Sequence, residues 1–362
     1  MSQTVKTRAV CLLVLALGTG RAAAVEVPAK TKLDQSVDRA LEFLQRTQDV
    51  EGFWRAEAGR PSPAVTALAV MAFLSAGHVP GEGPYGNTVD KGVRAVLKMQ
   101  LPNGKIATAG GHEMYHHGIC TLMLAEVAGM TSSPLADEVR KKLEKAVHVV
   151  LQAQRPPAVG YPHRGGWRYQ VNATDSDLSV TGWQLMALRA AKNLGCDVPP
   201  DRIEQAIDYV KRCQNRATGD FNYWPNHRPS NACTATGILA LEICGKDQHR
   251  SQETLKAGAA ILRDPPRWGQ RHFFYSVYYC SQAMFQLGDE PYWKFYQPKL
   301  HDSLLPYQRD NGSWLSGGYD SSGTYGPNYC TAMAVLALTV EYRLLPIYQR
   351  GEEPAAATKK AK

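Results

Sequence analysis

The sequence predicts an all-α fold, an (α/α)6 toroid of six outer and six inner helices. Two kinds of helix alternate along the chain. One kind is rich in charged residues and has a single apolar face, and the other is apolar almost all round. A helix that is apolar on every side must be buried on most sides, whereas a helix with one apolar face lies at a surface. An inner ring of apolar helices within an outer ring of charged helices satisfies both patterns.

The outer helices are predicted from their charge and one apolar stripe, as at Val37, Leu41 and Leu44. Their expected spans are 33–47, 88–99, 136–153, 200–213, 252–263 and 292–307. The inner helices are predicted from uncharged runs, and they are expected to begin near Ser62, His116, Asp177, Ser230, Phe273 and Pro327. Short connections make consecutive helices antiparallel. Six such pairs can close on themselves, so that each end repeat is buried by its neighbour.

Both ends of the chain are predicted to lie outside the toroid, which is expected to span residues 32–349. Residues 1–24 begin with the basic Lys6 and Arg8, continue in a short apolar run and end in small residues. This is the pattern of a secretory signal peptide, so we expect a secreted or periplasmic protein. Residues 350–362 are polar and rich in Ala and Lys, and they are expected to form a disordered tail.

The formal net charge of +8 does not indicate a nucleic-acid-binding protein. The basic residues are interspersed with acidic ones, which is typical of solvated helix faces and not of a nucleic-acid stripe. No segment is long and apolar enough to form a stable membrane span. The predicted partner is therefore a small-molecule or lipid-like ligand.

A motif recurs where the outer helices end. Residues 48–54 and 308–314 both contain Gln-x-x-x-Gly-x-Trp, and residues 100–106 and 214–221 are looser copies. The motif resembles the QW repeat of squalene and oxidosqualene cyclases and of the wider prenyltransferase superfamily, in particular its secreted single-toroid bacterial members. The resemblance covers nearly all of the chain after residue 24. It implies the toroid fold, in which the Gln and Trp of each motif tie one repeat to the next.

The loops that lead from outer to inner helices contain most of the aromatic and acidic candidates. Because the helices alternate in direction, all of these loops are expected at one end of the ring. The inner helices also direct their N-termini there, which adds partial positive charge. The predicted substrate-binding residues, on these loops and on the inner helices, are Trp183, His116, Tyr223, Trp224, Tyr279 and Tyr329.

Residues 175–178 are the main candidate for chemistry. Cyclases of the resembling family carry Asp-x-Asp-Asp before an inner helix; Asp175 and Asp177 match the first and third positions, and Leu178 stands at the fourth. The resemblance implies that Asp177 is a catalytic proton donor and that Asp175 supports it. Protonation of an alkene requires a carboxylic acid held neutral in an apolar site, with aromatic faces that stabilise the cation. The residues alone leave open that Asp177 or Ser179 merely caps the helix.

Two other functions fit the same arrangement. An exported (α/α)6 hydrolase or lyase would place two acids across a groove with aromatic platforms for sugar rings. A non-catalytic module would bind an apolar or glycan ligand in the central cavity expected within the ring of inner helices. No metal or other cofactor is predicted, because Asn231 stands where zinc-binding prenyltransferases have an Asp and the adjacent His116 and His117 suit one ion poorly.

Overall fold

The computed structural model describes residues 30–56, 59–108, 110, 112–131, 134–245, 248–315, 320 and 325–349. The predicted signal peptide and tail lie outside these residues. The helices are α1 (Lys32–Thr47), α2 (Pro63–Ser75), α3 (Gly86–Lys98), α4 (Glu113–Met130), α5 (Leu135–Ala153), α6 (Leu178–Asn193), α7 (Pro200–Cys213), α8 (Asn231–Cys244), α9 (Gln252–Arg263), α10 (Phe273–Gln286), α11 (Lys294–Leu304) and α12 (Gly326–Leu338). Within the described ranges, β-type pairing is confined to isolated bridges between loop segments.

The even-numbered helices form the inner ring. Consecutive inner helices pack against each other from α2 to α12, and α12 packs against α2, which closes the ring. Every residue of α2 is buried, as expected of a helix without a polar face. The odd-numbered helices lie outside; α1 buries the stripe that contains Val37, Leu41 and Leu44 and leaves its charged residues towards solvent. The predicted (α/α)6 toroid is confirmed.

Five glutamines at the ends of outer helices link each repeat to the next. The side-chain amide of each donates to a glycine carbonyl in its own loop and to a backbone carbonyl of the next outer helix. The five are Gln48, Gln100, Gln154, Gln214 and Gln308. Gln308 donates to the Ser36 carbonyl on α1 at 2.8 Å, so the last repeat is bonded to the first helix.

A glycine in each of these loops is required by close packing. Gly312 has a φ of +88°, and a Cβ atom there would lie 2.2 Å from the carbonyl oxygen of Arg39 on α1. Gly52, Gly104 and Gly165 approach the next outer helix in the same way, also with positive φ. Only glycine combines this backbone conformation with so short an approach.

Three tryptophans anchor the loops. The indole N–H groups of Trp54, Trp167 and Trp314 each donate to a carbonyl of the preceding outer helix at 2.7–2.8 Å. The backbone N–H of each donates to a threonine hydroxyl on the following inner helix. A loop held on both sides has little freedom, so the residues next to each tryptophan are placed firmly.

The two ends of the ring differ. At the loop end, where the inner helices begin, neighbouring loops are bonded to one another; the Leu178 N–H donates to the Tyr223 carbonyl at 2.7 Å. At the other end, residues 340–349 cross the ring, and we call them the C-terminal strap. The Ile347 N–H donates to the buried Glu126 carboxyl at 3.2 Å, which holds the strap against α4.

Candidate functional site

Asp177 lies at the N-terminus of α6 and is fully buried. Its backbone is extended, and its Oδ1 accepts hydrogen bonds from the Val180 N–H at 2.9 Å and the Ser179 hydroxyl at 2.6 Å. Asp177 is therefore the N-cap of α6, as the helix-capping interpretation of the sequence predicted. A cap occupies only one carboxyl oxygen, which leaves the other for a different role.

The second oxygen of Asp177 faces Arg168. Oδ2 is buried, accepts no hydrogen bond and lies 3.4 Å from a guanidinium nitrogen of Arg168. The same guanidinium lies 3.5 Å from a carboxyl oxygen of Asp175, whose side chain is half exposed. Asp175 and Asp177 thus share one cation at the loop end.

The pKa of Asp177 is unusual. Burial raises it from an ordinary value of 3.8 to about 6. The hydrogen bonds from Ser179 and Val180 and the charge of Arg168 oppose this rise, because they stabilise the carboxylate. Burial outweighs them, so Asp177 holds its proton at mildly acidic pH. A carboxyl group in this state can act as a general acid.

Three aromatic rings surround the Arg168 guanidinium. Its central carbon lies 4.6 Å from the ring centroid of Tyr169, 5.6 Å from that of Tyr223 and 5.5 Å from that of Trp224. These distances are typical of cation–π contacts. Two predicted substrate-binding residues, Tyr223 and Trp224, therefore contact the chain's own cation.

Six tyrosines that are at least partly exposed lie at the loop end of the ring, where the inner helices begin. We call them the mouth tyrosines: Tyr115, Tyr169, Tyr223, Tyr275, Tyr325 and Tyr329. Two of them reach the start of α6, since Tyr115 shares a hydrogen bond with the Ser179 hydroxyl and Tyr275 donates to the Ser179 carbonyl at 3.2 Å. The phenol groups of Tyr169 and Tyr223 bond to each other. The loop end is thus rich in aromatic faces, with a buried acid among them.

Buried aromatic rings from α6 and α10 fill the centre of the toroid below the mouth. Trp183 stacks on Tyr278 with ring centroids 5.5 Å apart, and Tyr279 meets Trp183 edge-on at 5.4 Å. All three rings are at most 2% exposed. The Tyr278 hydroxyl bonds to that of Tyr348 in the C-terminal strap at 2.6 Å. Trp183 and Tyr279 therefore belong to a packed aromatic core beneath the mouth tyrosines, and the strap contacts this core from the other end of the ring.

The predicted site residues are distributed unevenly around the loop end. Asp175, Asp177, Tyr223 and Trp224 meet at Arg168, as described, and Tyr329 belongs to the mouth. His116 follows Tyr115 on α4, but its ring nitrogen Nδ1 accepts from the Thr108 N–H at 3.3 Å, so its observed contact is with the preceding loop.

Sequence reasoning missed Arg168, Ser179, Tyr115 and Tyr275 as members of the site. The position of Ser179, two residues after Asp177 in the first turn of a capped helix, was a usable signal. Arg168 follows the anchored Trp167, which also marks it as a firmly placed residue. Tyr115 and Tyr275 reach the site from other helices, and no local pattern shows this.

Within the described residues, no group of three His, Cys, Asp or Glu side chains could hold a metal ion. None of the helices in this part of the chain has the length and apolar character needed to cross a membrane.

Residues 167–264, which run from the Trp167 loop to just beyond α9, match the family model of the prenyltransferase alpha-alpha toroid domain. The matched segment includes Arg168, Asp175 and Asp177. Together with the closed double ring, this match supports an alpha-alpha toroid fold of the prenyltransferase type. No curated protein sequence matches the chain significantly.

Solved structures of two kinds are similar to the chain. The type II terpene cyclase MstE from Scytonema is 17% identical, with a TM-score of 0.55, and the match covers 87% of this chain and 99% of that one. An α-1,6-mannanase from Salegentibacter is 9% identical, with a TM-score of 0.62, and the match covers 86% of this chain and 99% of that one. At these identities the likeness establishes the toroid fold alone.

Proposed function

We propose that this chain is an exported toroid protein that binds and transforms an apolar, isoprenoid-like ligand at the loop end of its ring, above the packed central aromatic rings, with Asp177 as the acid. The observation that carries the proposal is the buried Asp177 carboxyl, which has a pKa of about 6 and an Oδ2 that accepts no hydrogen bond, and which lies among the aromatic rings of the loop end. Apolar chains are bound by aromatic surfaces, and their double bonds react with acids that are held neutral.

The residues support a proton-transfer step. The proton on Asp177 would pass to one carbon of a double bond, and the electron pair of that bond would form the new C–H bond. The positive charge left on the other carbon would face the rings of the mouth tyrosines and of Trp183, which stabilise cations through their π faces. Asp177 would be left as a carboxylate beside Arg168, which favours the charged form. Asp175 supports this state by helping to hold Arg168.

One similar structure contains an isoprenoid ligand, which is compatible with the proposal. One structure of the Scytonema cyclase contains geranylgeranyl dihydroxybenzoate as its substrate; it is 18% identical, with a TM-score of 0.54, and the match covers 87% of this chain and 98% of that one. A ligand with a long isoprenoid chain would suit the aromatic loop end of the present toroid, where half-buried phenol rings surround the acid.

A carbohydrate-active function is the second candidate, and one observation favours it. The exposed His112 ring stacks on Tyr169 with centroids 4.5 Å apart, close to the two acids Asp175 and Asp177. Stacked rings beside a pair of carboxyl groups are the elements that glycoside hydrolases use. One structure of the Salegentibacter mannanase contains α-1,6-mannotetrose.

The test is native mass spectrometry of the purified protein with geranylgeraniol and, separately, with α-1,6-mannotetraose, followed by product analysis. We expect a geranylgeraniol complex and an acid-dependent product. Asp177→Asn should bind geranylgeraniol but give no product, since the amide has no transferable acidic proton. Glu126→Gln is the matched control, because it replaces a buried acid at the other end of the ring by its amide; it should behave like the wild type.

Each other outcome would overturn a stated part of the proposal. Conversion by Asp177→Asn would remove Asp177 from the acid role. Binding of the isoprenoid without conversion by the wild type would leave a binding module. Binding of mannotetraose alone would move the acids to a hydrolase or lyase role, and binding of neither would contradict the ligand class.

The export part of the proposal is tested separately. The full chain, expressed in a bacterial host, should appear outside the cytoplasm with an N-terminus at Val25, the residue after the predicted cleavage site. A cytoplasmic protein that keeps residues 1–24 would contradict it.

A further inference from the structure

Backbone hydrogen bonds of the neighbouring Trp167 hold Arg168 beside Asp177. Trp167 is anchored by its indole and its backbone N–H, and the Asp177 N–H donates to the Trp167 carbonyl at 2.9 Å. This bridge fixes the backbone of residue 168 beside that of Asp177. The Arg168 side chain is only 19% exposed, so it is held within the site and does not extend into solvent.

The contacts of Arg168 are electrostatic. It faces two carboxyl groups at 3.4 and 3.5 Å and three aromatic rings, and its nitrogen nearest to Asp177 is buried without a hydrogen bond. Aromatic faces stabilise and orient a guanidinium without neutralising it. The full charge therefore acts on the nearby carboxyl groups.

We infer that Arg168 is a positioning residue that favours the carboxylate form of Asp177, and that Tyr169, Tyr223 and Trp224 serve this site chiefly by fixing Arg168. The inference rests on the proposed role of Asp177 as the acid. In this inference the rings around Arg168 act on Asp177 only through Arg168, whereas Tyr115, Tyr275 and Tyr329 remain available to a ligand.

The other groups that face Asp177 do not replace Arg168. They are the hydroxyl groups of Ser179, Tyr115, Tyr223 and Tyr209, the Asp175 carboxyl and the thiols of Cys213 and Cys233. The hydroxyl groups and thiols are neutral, and burial raises the pKa of Tyr115, Tyr209, Cys213 and Cys233, which keeps them so. Among these groups Arg168 supplies the positive charge, and its loss should leave burial unopposed by any cation.

The experiment is a carboxyl carbon-13 NMR titration of the full protein labelled at aspartate. The resonance missing in Asp177→Asn identifies Asp177. In the wild type its midpoint should lie near pH 6. In Arg168→Met the proton affinity of Asp177 should rise severalfold, because a cation 3.4 Å from the carboxyl group favours its charged form. Arg168→Lys, which keeps the charge without the planar group, should give an intermediate midpoint.

Two further variants separate this role from ordinary packing. Trp224→Leu removes one ring of the cage and should raise the Asp177 midpoint by a smaller amount, since Arg168 is then less well fixed. Arg212→Met is the matched control, because Arg212 also lies over a tyrosine, 5.7 Å from the Tyr209 centroid, but forms no ion pair with Asp177 within the described residues. It should leave the midpoint unchanged.

An Asp177 midpoint that is the same in wild type, Arg168→Lys and Arg168→Met would overturn the inference. If Arg168→Met does not fold, the lysine and Trp224→Leu variants decide the question in the same titration. The readout needs no ligand or turnover, so a negative result here is distinct from failure of the proposed function. Where turnover is found, its pH midpoint should move in parallel with the titration.

Discussion

Replacement of Asp177 by asparagine should stabilise the folded protein only at pH values above the ordinary aspartate pKa of 3.8. Asparagine has almost the same shape and is an equally good helix cap, so Val180 keeps its partner. What the variant loses is the cost of an ionised carboxyl in a buried position. The Asp177 pKa rises from 3.8 to about 6 on folding. Since a tenfold change in proton affinity corresponds to about 1.4 kcal/mol, the full effect is about 3 kcal/mol.

The direction follows from which state binds the proton more tightly. Folded Asp177 binds its proton more tightly than the unfolded chain does, so its contribution to stability is greatest below pH 3.8 and falls as the pH rises to about 6. The asparagine does not titrate. The free energy of unfolding of Asp177→Asn, relative to wild type, should therefore rise between pH 4 and pH 6 and then stay constant. Other titrating groups cancel in this difference.

The assay is urea unfolding of both proteins, monitored by circular dichroism at pH intervals from pH 4 to pH 8. Asp34→Asn is a control of opposite sign, because hydrogen bonds from Thr31 and Tyr342 lower the pKa of Asp34. That variant should lose stability, relative to wild type, as the pH rises from the acid range. A stability difference for Asp177→Asn that is constant across the whole range would refute the argument that its carboxyl is buried at a cost.

Two other substitutions test the ring itself. Gly312→Ala should destabilise the protein by more than about 2 kcal/mol, because it combines a positive φ with a Cβ atom 2.2 Å from a backbone oxygen of α1. Gly269→Ala, with a similar φ and open space around it, should cost only about 1 kcal/mol in the same urea assay, and equal losses would contradict the packing argument. Glu126→Gln should gain stability, relative to wild type, as the pH rises from about 4.5 to about 8, because burial raises the Glu126 pKa to about 8. A flat pH profile for that variant would show that the carboxyl is not buried against the strap.

Most of the fold could be predicted from the sequence because helix class follows from local periodicity. The predicted spans of α7 and α9 agree with the structure residue for residue. The prediction was less accurate for α11, expected over 292–307 and found as Lys294–Leu304. The turn at Leu305–Tyr307 contains a proline. Proline has no backbone N–H to donate to the carbonyl four residues earlier, so the regular helix ends before it.

The site was less predictable because its parts come from different repeats. Asp177 was identified from local features, namely a capping position and a motif. Its partner Arg168 is nine residues away along the chain but lies beside it only because the Trp167 loop folds back onto the start of α6. Tyr275 lies on α10 and reaches Ser179 across the ring. Such closeness depends on ring closure, which no single stretch of sequence encodes.

A comparison of two buried acids, Asp177 and Glu126, supports the proposal that the chemistry lies at the loop end. Asp177 and Glu126 are both almost fully buried, yet burial raises the pKa of Glu126 to about 8 and that of Asp177 only to about 6. Glu126 receives a single backbone N–H from the strap, whereas Asp177 receives two hydrogen bonds and faces a cation. A group that must alternate between proton donor and carboxylate needs a pKa near the working pH and a partner for each state. Asp177 meets both requirements and lies among the partly exposed mouth tyrosines, while Glu126 is enclosed beneath the C-terminal strap.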